Sequence, residues 1–87
     1  MDKVWILMLD GSLMEFPAEH AKKVIRKNDL VRLAIFNQEL LNDDRSTDVE
    51  KAFYTKRLQQ IMQGIRRLNR QIPPCGVTIR LADGERV

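Results

Sequence analysis

The sequence predicts a two-layer α+β domain: a small mixed or antiparallel sheet, built in the order hairpin, helix, strand, helix, hairpin, with two helices on one face and the second helix long. Three observations carry this. Asp10-Gly11 follows a six-residue apolar run, Asp83-Gly84 follows an alternating apolar and polar segment, and between them lies a heptad-spaced apolar stripe in a helix opened by a capping sequence. Eighty-seven residues allow one domain, 1–87, and no second. With 44% apolar and 31% charged residues the chain can bury a core, which sets it apart from disordered and fibrous classes.

Val4 to Leu9 shows no polar alternation, the pattern of a strand covered on both faces. Asp10-Gly11-Ser12 then signals a tight turn, and Leu13 to Phe16 supplies the returning strand. Pro17 suits a first helical position, where a missing N–H is no loss, and Ala18, Ala21, Val24 and Ile25 recur at helical spacing, so a first helix is expected over 17–27. Asn28-Asp29 closes it. Val31, Leu33 and Ile35 alternate with Arg32 and Ala34, which predicts a strand over 30–36; the competing reading is a helix from Asp29 through Leu41, since Leu30, Leu33, Leu40 and Leu41 also share a helical face. Residues 37–46, with Asn37, Asn42, Asp43, Asp44 and Ser46, read as a surface loop.

Thr47-Asp48-Val49-Glu50 matches a capping box, in which Thr and Glu satisfy each other's free amides. The helix it opens should run to Gln71, because Pro73-Pro74 removes two donors and biases Ile72 away from helical angles. Val77 to Leu81 alternates as a half-exposed strand before Asp83-Gly84. Only Glu85, Arg86 and Val87 follow, so either the last strand is very short or the chain continues downstream in a longer protein.

The heptad stripe is the strongest pattern in the chain. Tyr54, Leu58, Ile61, Ile65, Leu68 and Ile72 are spaced 4, 3, 4, 3 and 4, and Met62 widens the band. It would either cover the protein's own sheet or dock on a second copy. A helix of about 24 residues reaches roughly 36 Å, about as far as a globule of this size extends, so one end is expected to overhang its sheet. Tyr54, Leu58, Ile61, Met62, Ile65 and Leu68 are the predicted protein interface, and a homodimer is the expected state. Gly64 beside this stripe costs the helix about 1 kcal/mol relative to Ala and is either a tolerated surface glycine or a point where another backbone comes close.

Charge is segregated along the chain. Residues 1–20 carry net −3, 21–36 net +4, 37–50 net −4, 51–71 net +6 with no acid, and 72–87 balance, for a total of +3. Lys22, Lys23, Arg26 and Lys27 on the first helix, with Lys56, Arg57, Arg66, Arg67 and Arg70 on the second, are candidate nucleic-acid contacts, interleaved with Gln59, Gln60, Gln63, Asn69 and Gln71. Aromatics make up only 6% of the chain, and recognition signatures of RNA-binding modules and a helix-turn-helix pair are lacking. Bases late in a helix also complement its dipole, which accounts for much of the pattern.

Catalytic equipment is sparse. His20 and Cys75 are the only histidine and cysteine, with nothing in the spacing to bring them together or to orient them, and two such ligands fall short of a zinc site. Asp43, Asp44, Asp48 and Glu50 lack the spacing of a calcium loop and read as a solvated acidic connection. Scattered single glycines form no phosphate loop. The unpaired Cys75 points to a reducing, cytoplasmic setting, and the longest apolar run is far too short to span a bilayer. The expected function is therefore a small non-enzymatic interaction or regulatory module without cofactor, metal or small-molecule ligand. It acts through its long amphipathic helix on a protein or a second copy, with nucleic-acid binding as the alternative.

Overall fold

The computed structural model describes residues 2–72. Strand β1 (Lys3–Leu7) and strand β2 (Leu13–Pro17) form an antiparallel hairpin, followed by two helices, α1 (Ala18–Leu41) and α2 (Asp48–Asn69). This is a small α+β fold. The predicted strand Val77 to Leu81, the turn at Asp83-Gly84, Pro73-Pro74 and Cys75 lie outside the described residues.

The hairpin register pairs Val4 with Phe16, Trp5 with Glu15 and Ile6 with Met14. Its turn is wider than a two-residue type I′ loop. The Gly11 amide donates to the Met8 carbonyl at 3.0 Å and the Met8 amide to the Ser12 carbonyl at 2.8 Å. Only Gly11 takes a positive φ, 87°, and Asp10 does not, so the type I′ geometry is excluded. Asp10 serves instead as an acceptor: its Oδ1 takes the Ser12 amide at 2.9 Å and the Ser12 hydroxyl at 2.6 Å. These bonds favour the ionised carboxylate and hold the Asp10 pKa below its ordinary value. Among the described residues β1 is covered on one face, whereas its apolar run suggests two-sided burial. Ile6 is buried, whereas Trp5 is 63% exposed and Leu7 is also exposed.

The largest departure from expectation is α1. Residues 30–36 are not a strand, and the first helix does not stop at Lys27; a single helix runs from Ala18 through Leu41. The sheet therefore has only two described strands, and the helical alternative from Asp29 to Leu41 describes that stretch correctly. No Gly or Pro occurs between Pro17 and Gly64, so nothing breaks the backbone ladder. The polar residues that looked like a stop are accommodated inside. Asn28 is buried and its amide donates to the Met8 sulfur at 3.7 Å; Asn37 is also buried, and its amide donates to the Leu33 carbonyl at 2.8 Å.

The connection between the helices shrinks accordingly to 42–47. Arg45 holds Asp43 through both carboxylate oxygens, with Nε to Oδ1 at 3.1 Å and Nη2 to Oδ2 at 2.9 Å, while the Ser46 hydroxyl donates to the Leu40 carbonyl at 2.8 Å. The guanidinium beside it keeps the Asp43 pKa below its usual value. Thr47 caps α2 as predicted: the Glu50 amide donates to Thr47 Oγ1 and the Thr47 amide to Glu50 Oε1, each at 3.2 Å. Such a box stabilises a helix start by about 1 kcal/mol.

α2 lies antiparallel to α1 along its length. One buried cluster joins Val31 and Ala34 of α1 to Leu58, Ile61, Met62 and Ile65 of α2. A second joins Ile6, Met8 and Phe16 of the hairpin to Ala21 and Val24 of α1 and to Ile72 just beyond α2. Five-residue strands span only about 17 Å, half the length of α2 at about 33 Å, so the hairpin caps the end where α1 begins and α2 ends. The molecule is accordingly elongated, 51 × 23 × 18 Å, with a radius of gyration of 14.5 Å against about 12 Å for a compact chain of this length.

Candidate functional site

The overhang predicted for α2 exists, but α1 covers it. Leu58, Ile61, Met62 and Ile65 are buried within the chain's own helix pair, and Tyr54 and Leu68 are half-buried. Four of the six predicted interface residues are therefore closed to a partner in this fold. At its N-terminal end α2 does present apolar groups to solvent: Val49 and Phe53 are exposed, with the Phe53 ring edge-on to Tyr54 at 5.7 Å.

Gly64 sits against α1, and the close neighbour is a side chain of the same molecule rather than a second backbone. A Cβ there would stand 3.2 Å from Leu30 Cδ1. Leu30 is only half-buried and can turn aside, so the better helix propensity of Ala, about 1 kcal/mol, should prevail in part. Gly64→Ala is expected to raise stability by about 0.5 kcal/mol in urea unfolding without changing the scattering mass. A destabilised variant would show that Leu30 is wedged rather than adjustable.

The candidate nucleic-acid residues separate into groups. Lys22, Lys23 and Arg26 are exposed on the first turns of α1, but Lys27 is buried, with 7% of its surface accessible, and drops out as a contact. Arg66, Arg67 and Arg70 are exposed on the last turns of α2 and, with Gln63, line a shallow depression of about 210 Å³. The antiparallel arrangement brings these two groups to the same end of the helix pair. Lys56 and Arg57 are exposed closer to the start of α2.

Two of the four acidic residues at the connection, Asp43 and Glu50, have structural partners. Asp43 is bound by Arg45 and Glu50 closes the capping box, and among the described residues no group of three His, Cys, Asp or Glu side chains is placed to hold a metal. His20 Nε2 lies 3.7 Å from Glu19 Oε1, and its Nδ1 is buried without a partner. Its pairing with Cys75 concerns a residue outside the described ones. No helix among the described residues is long and apolar enough to cross a membrane.

Two apolar surfaces were not identified from the sequence. On the hairpin, Trp5, Leu7 and Leu13 share the outer face. On α1, Ile25, Leu33 and Phe36 are exposed and Leu40 is half-buried. At 3.6 residues per turn the positions 25, 29, 33, 36 and 40 fall within an arc of about 80°, opposite the side that carries Val24, Val31 and Ala34. α1 is thus apolar on two sides. Apolar spacings of 8, 3 and 4, with Asp29 in the intervening turn, are the signal in the sequence, and the two-residue alternation over 30–36 hides it.

No family model matches the chain, and neither a curated protein nor a solved structure does.

Proposed function

We propose that this chain is a small non-enzymatic protein-interaction module that self-associates through a long helix, and that α1 rather than α2 presents the docking face. The observation that supports it is the outward stripe of α1: Ile25, Leu33 and Phe36 stay exposed, Phe36 to 56%, although the inner side of the same helix is fully packed. A helix that needed only to cover α2 would carry polar residues there. Light scattering on the 10.2 kDa chain tests the reading. The mass should rise toward a dimer as concentration reaches high micromolar and should change little with salt; a monomer mass throughout would defeat self-association.

A second reading is favoured by a separate observation. Gln63, Arg66, Arg67 and Arg70 share one depression, and no acid occurs from Lys51 to Ile72. Phosphate contacts there would release counterions, so binding to duplex DNA would weaken steeply with salt, with a slope near −0.9 per contact. Scattering mass with and without mixed nucleic acid at two salt concentrations separates the two readings.

A further inference from the structure

Resting on the self-association reading, we propose that two copies of the chain pair antiparallel through the outward stripe of α1, with Leu33 beside the two-fold axis. Ile25 and Leu40 bound the stripe, so its midpoint falls between Arg32 and Leu33. Antiparallel pairing about that point brings Ile25 of one copy level with Leu40 of the other.

Charge selects the orientation. Net charge runs from +4 over residues 21–36 to −4 over 37–50. Lys22, Lys23 and Arg26 are exposed at the basic end, and Glu39 and Asp44 at the acidic end. The ion pairs among the described residues are Lys3–Glu15, Arg32–Asp29 and Arg45–Asp43, and His20 neighbours Glu19, so these five take part in none. An antiparallel copy sets Lys22 and Arg26 at the level of Glu39 and Asp44, whereas a parallel copy would stack base on base and acid on acid. At the centre, the 3.5 Å pair of Asp29 and Arg32 interrupts the apolar row. A polar position inside a helical seam lowers affinity and fixes register. The contact is isologous, so it closes at two copies and does not propagate into a filament.

Its size sets the strength. Ile25 to Leu40 spans about 22 Å along a helix about 10 Å wide. Such a footprint lies well below the roughly 800 Å² per partner of a stable complex, so the dimer belongs to the weak, micromolar class.

The test uses the full chain with Cys75→Ser to remove the native thiol, and adds single cysteines as Ile25→Cys, Leu33→Cys or Leu40→Cys. Under mild oxidation at high micromolar concentration, Leu33→Cys should give a covalent homodimer. A mixture of Ile25→Cys with isotopically labelled Leu40→Cys should give mainly the mixed dimer by mass spectrometry. In the unoxidised parent, Phe36→Glu should weaken dimerisation at least about tenfold, as expected for a central apolar anchor. Phe36 is exposed, so helix content serves as the check that this variant folds. Predominant Ile25–Ile25 disulfides would overturn the antiparallel arrangement. A dimer unaffected by Phe36→Glu would remove α1 from the interface and leave self-association standing, whereas a monomer mass at every concentration would remove both.

Discussion

Ile65→Ala is expected to lower the free energy of unfolding by about 3 kcal/mol in a urea titration. Ile65 is 1% exposed and sits in the cluster that holds α2 against Val31 and Ala34. Removing its outer carbons forfeits their transfer energy and leaves a cavity that rigid neighbours on two helices cannot close. A domain of this length has about 4 to 13 kcal/mol in total, so the variant loses a large share. Val49→Ala is the matched control: Val49 lies on the same helix but is 81% exposed, and its change should stay within about 0.5 kcal/mol. A loss below about 1 kcal/mol at Ile65 would mean that the helix pair is held by something other than this seam.

What could be read from the sequence was set by local chemistry. The Asp10-Gly11 hairpin and the Thr47–Glu50 cap were legible because each is made by residues within four positions of one another: Gly11 supplies its own φ, and Thr47 and Glu50 bond each other. The α2 stripe was legible as a stripe, but what covers it was not, since heptad spacing serves a helix, a sheet or a second copy equally. Residues 30–36 are ambiguous in sequence for a related reason. Val31, Leu33 and Ile35 fit a two-residue period, while the fold uses the helical one, burying Val31 and Ala34 and exposing Leu33 and Phe36. Asn28 and Asn37 favour helix ends by local chemistry; only tertiary contacts and side-chain bonds, Asn28 to Met8 and Asn37 to Leu33, show why they are tolerated inside α1. Because α1 is continuous, its outer stripe becomes the candidate docking face, while the inner stripe of α2 is buried against it.

Phe16→Ala should separate the two halves of the molecule. Phe16 is buried on the inner face of the hairpin with Ile6, Met8, Ala21 and Val24, a cluster that shares no residue with the one around Ile65. Truncating a buried Phe costs about 3 to 5 kcal/mol, and a two-stranded hairpin is at best marginal by itself in water. Among the described residues the inner face of the hairpin rests on this cluster alone, whereas Val31, Ala34, Leu58, Ile61 and Ile65 remain packed on one another. Unfolding should therefore become sub-global. In hydrogen exchange, the amides of β1 and β2 should lose protection while those from Val31 to Phe36 and from Leu58 to Ile65 keep most of theirs, and the far-ultraviolet helical signal should persist. Trp5, the single tryptophan, sits on the hairpin and reports its release by fluorescence. Loss of protection in both helices together with the hairpin would show that the clusters fold as one unit, and the helix pair would then depend on the hairpin beyond the end that it touches.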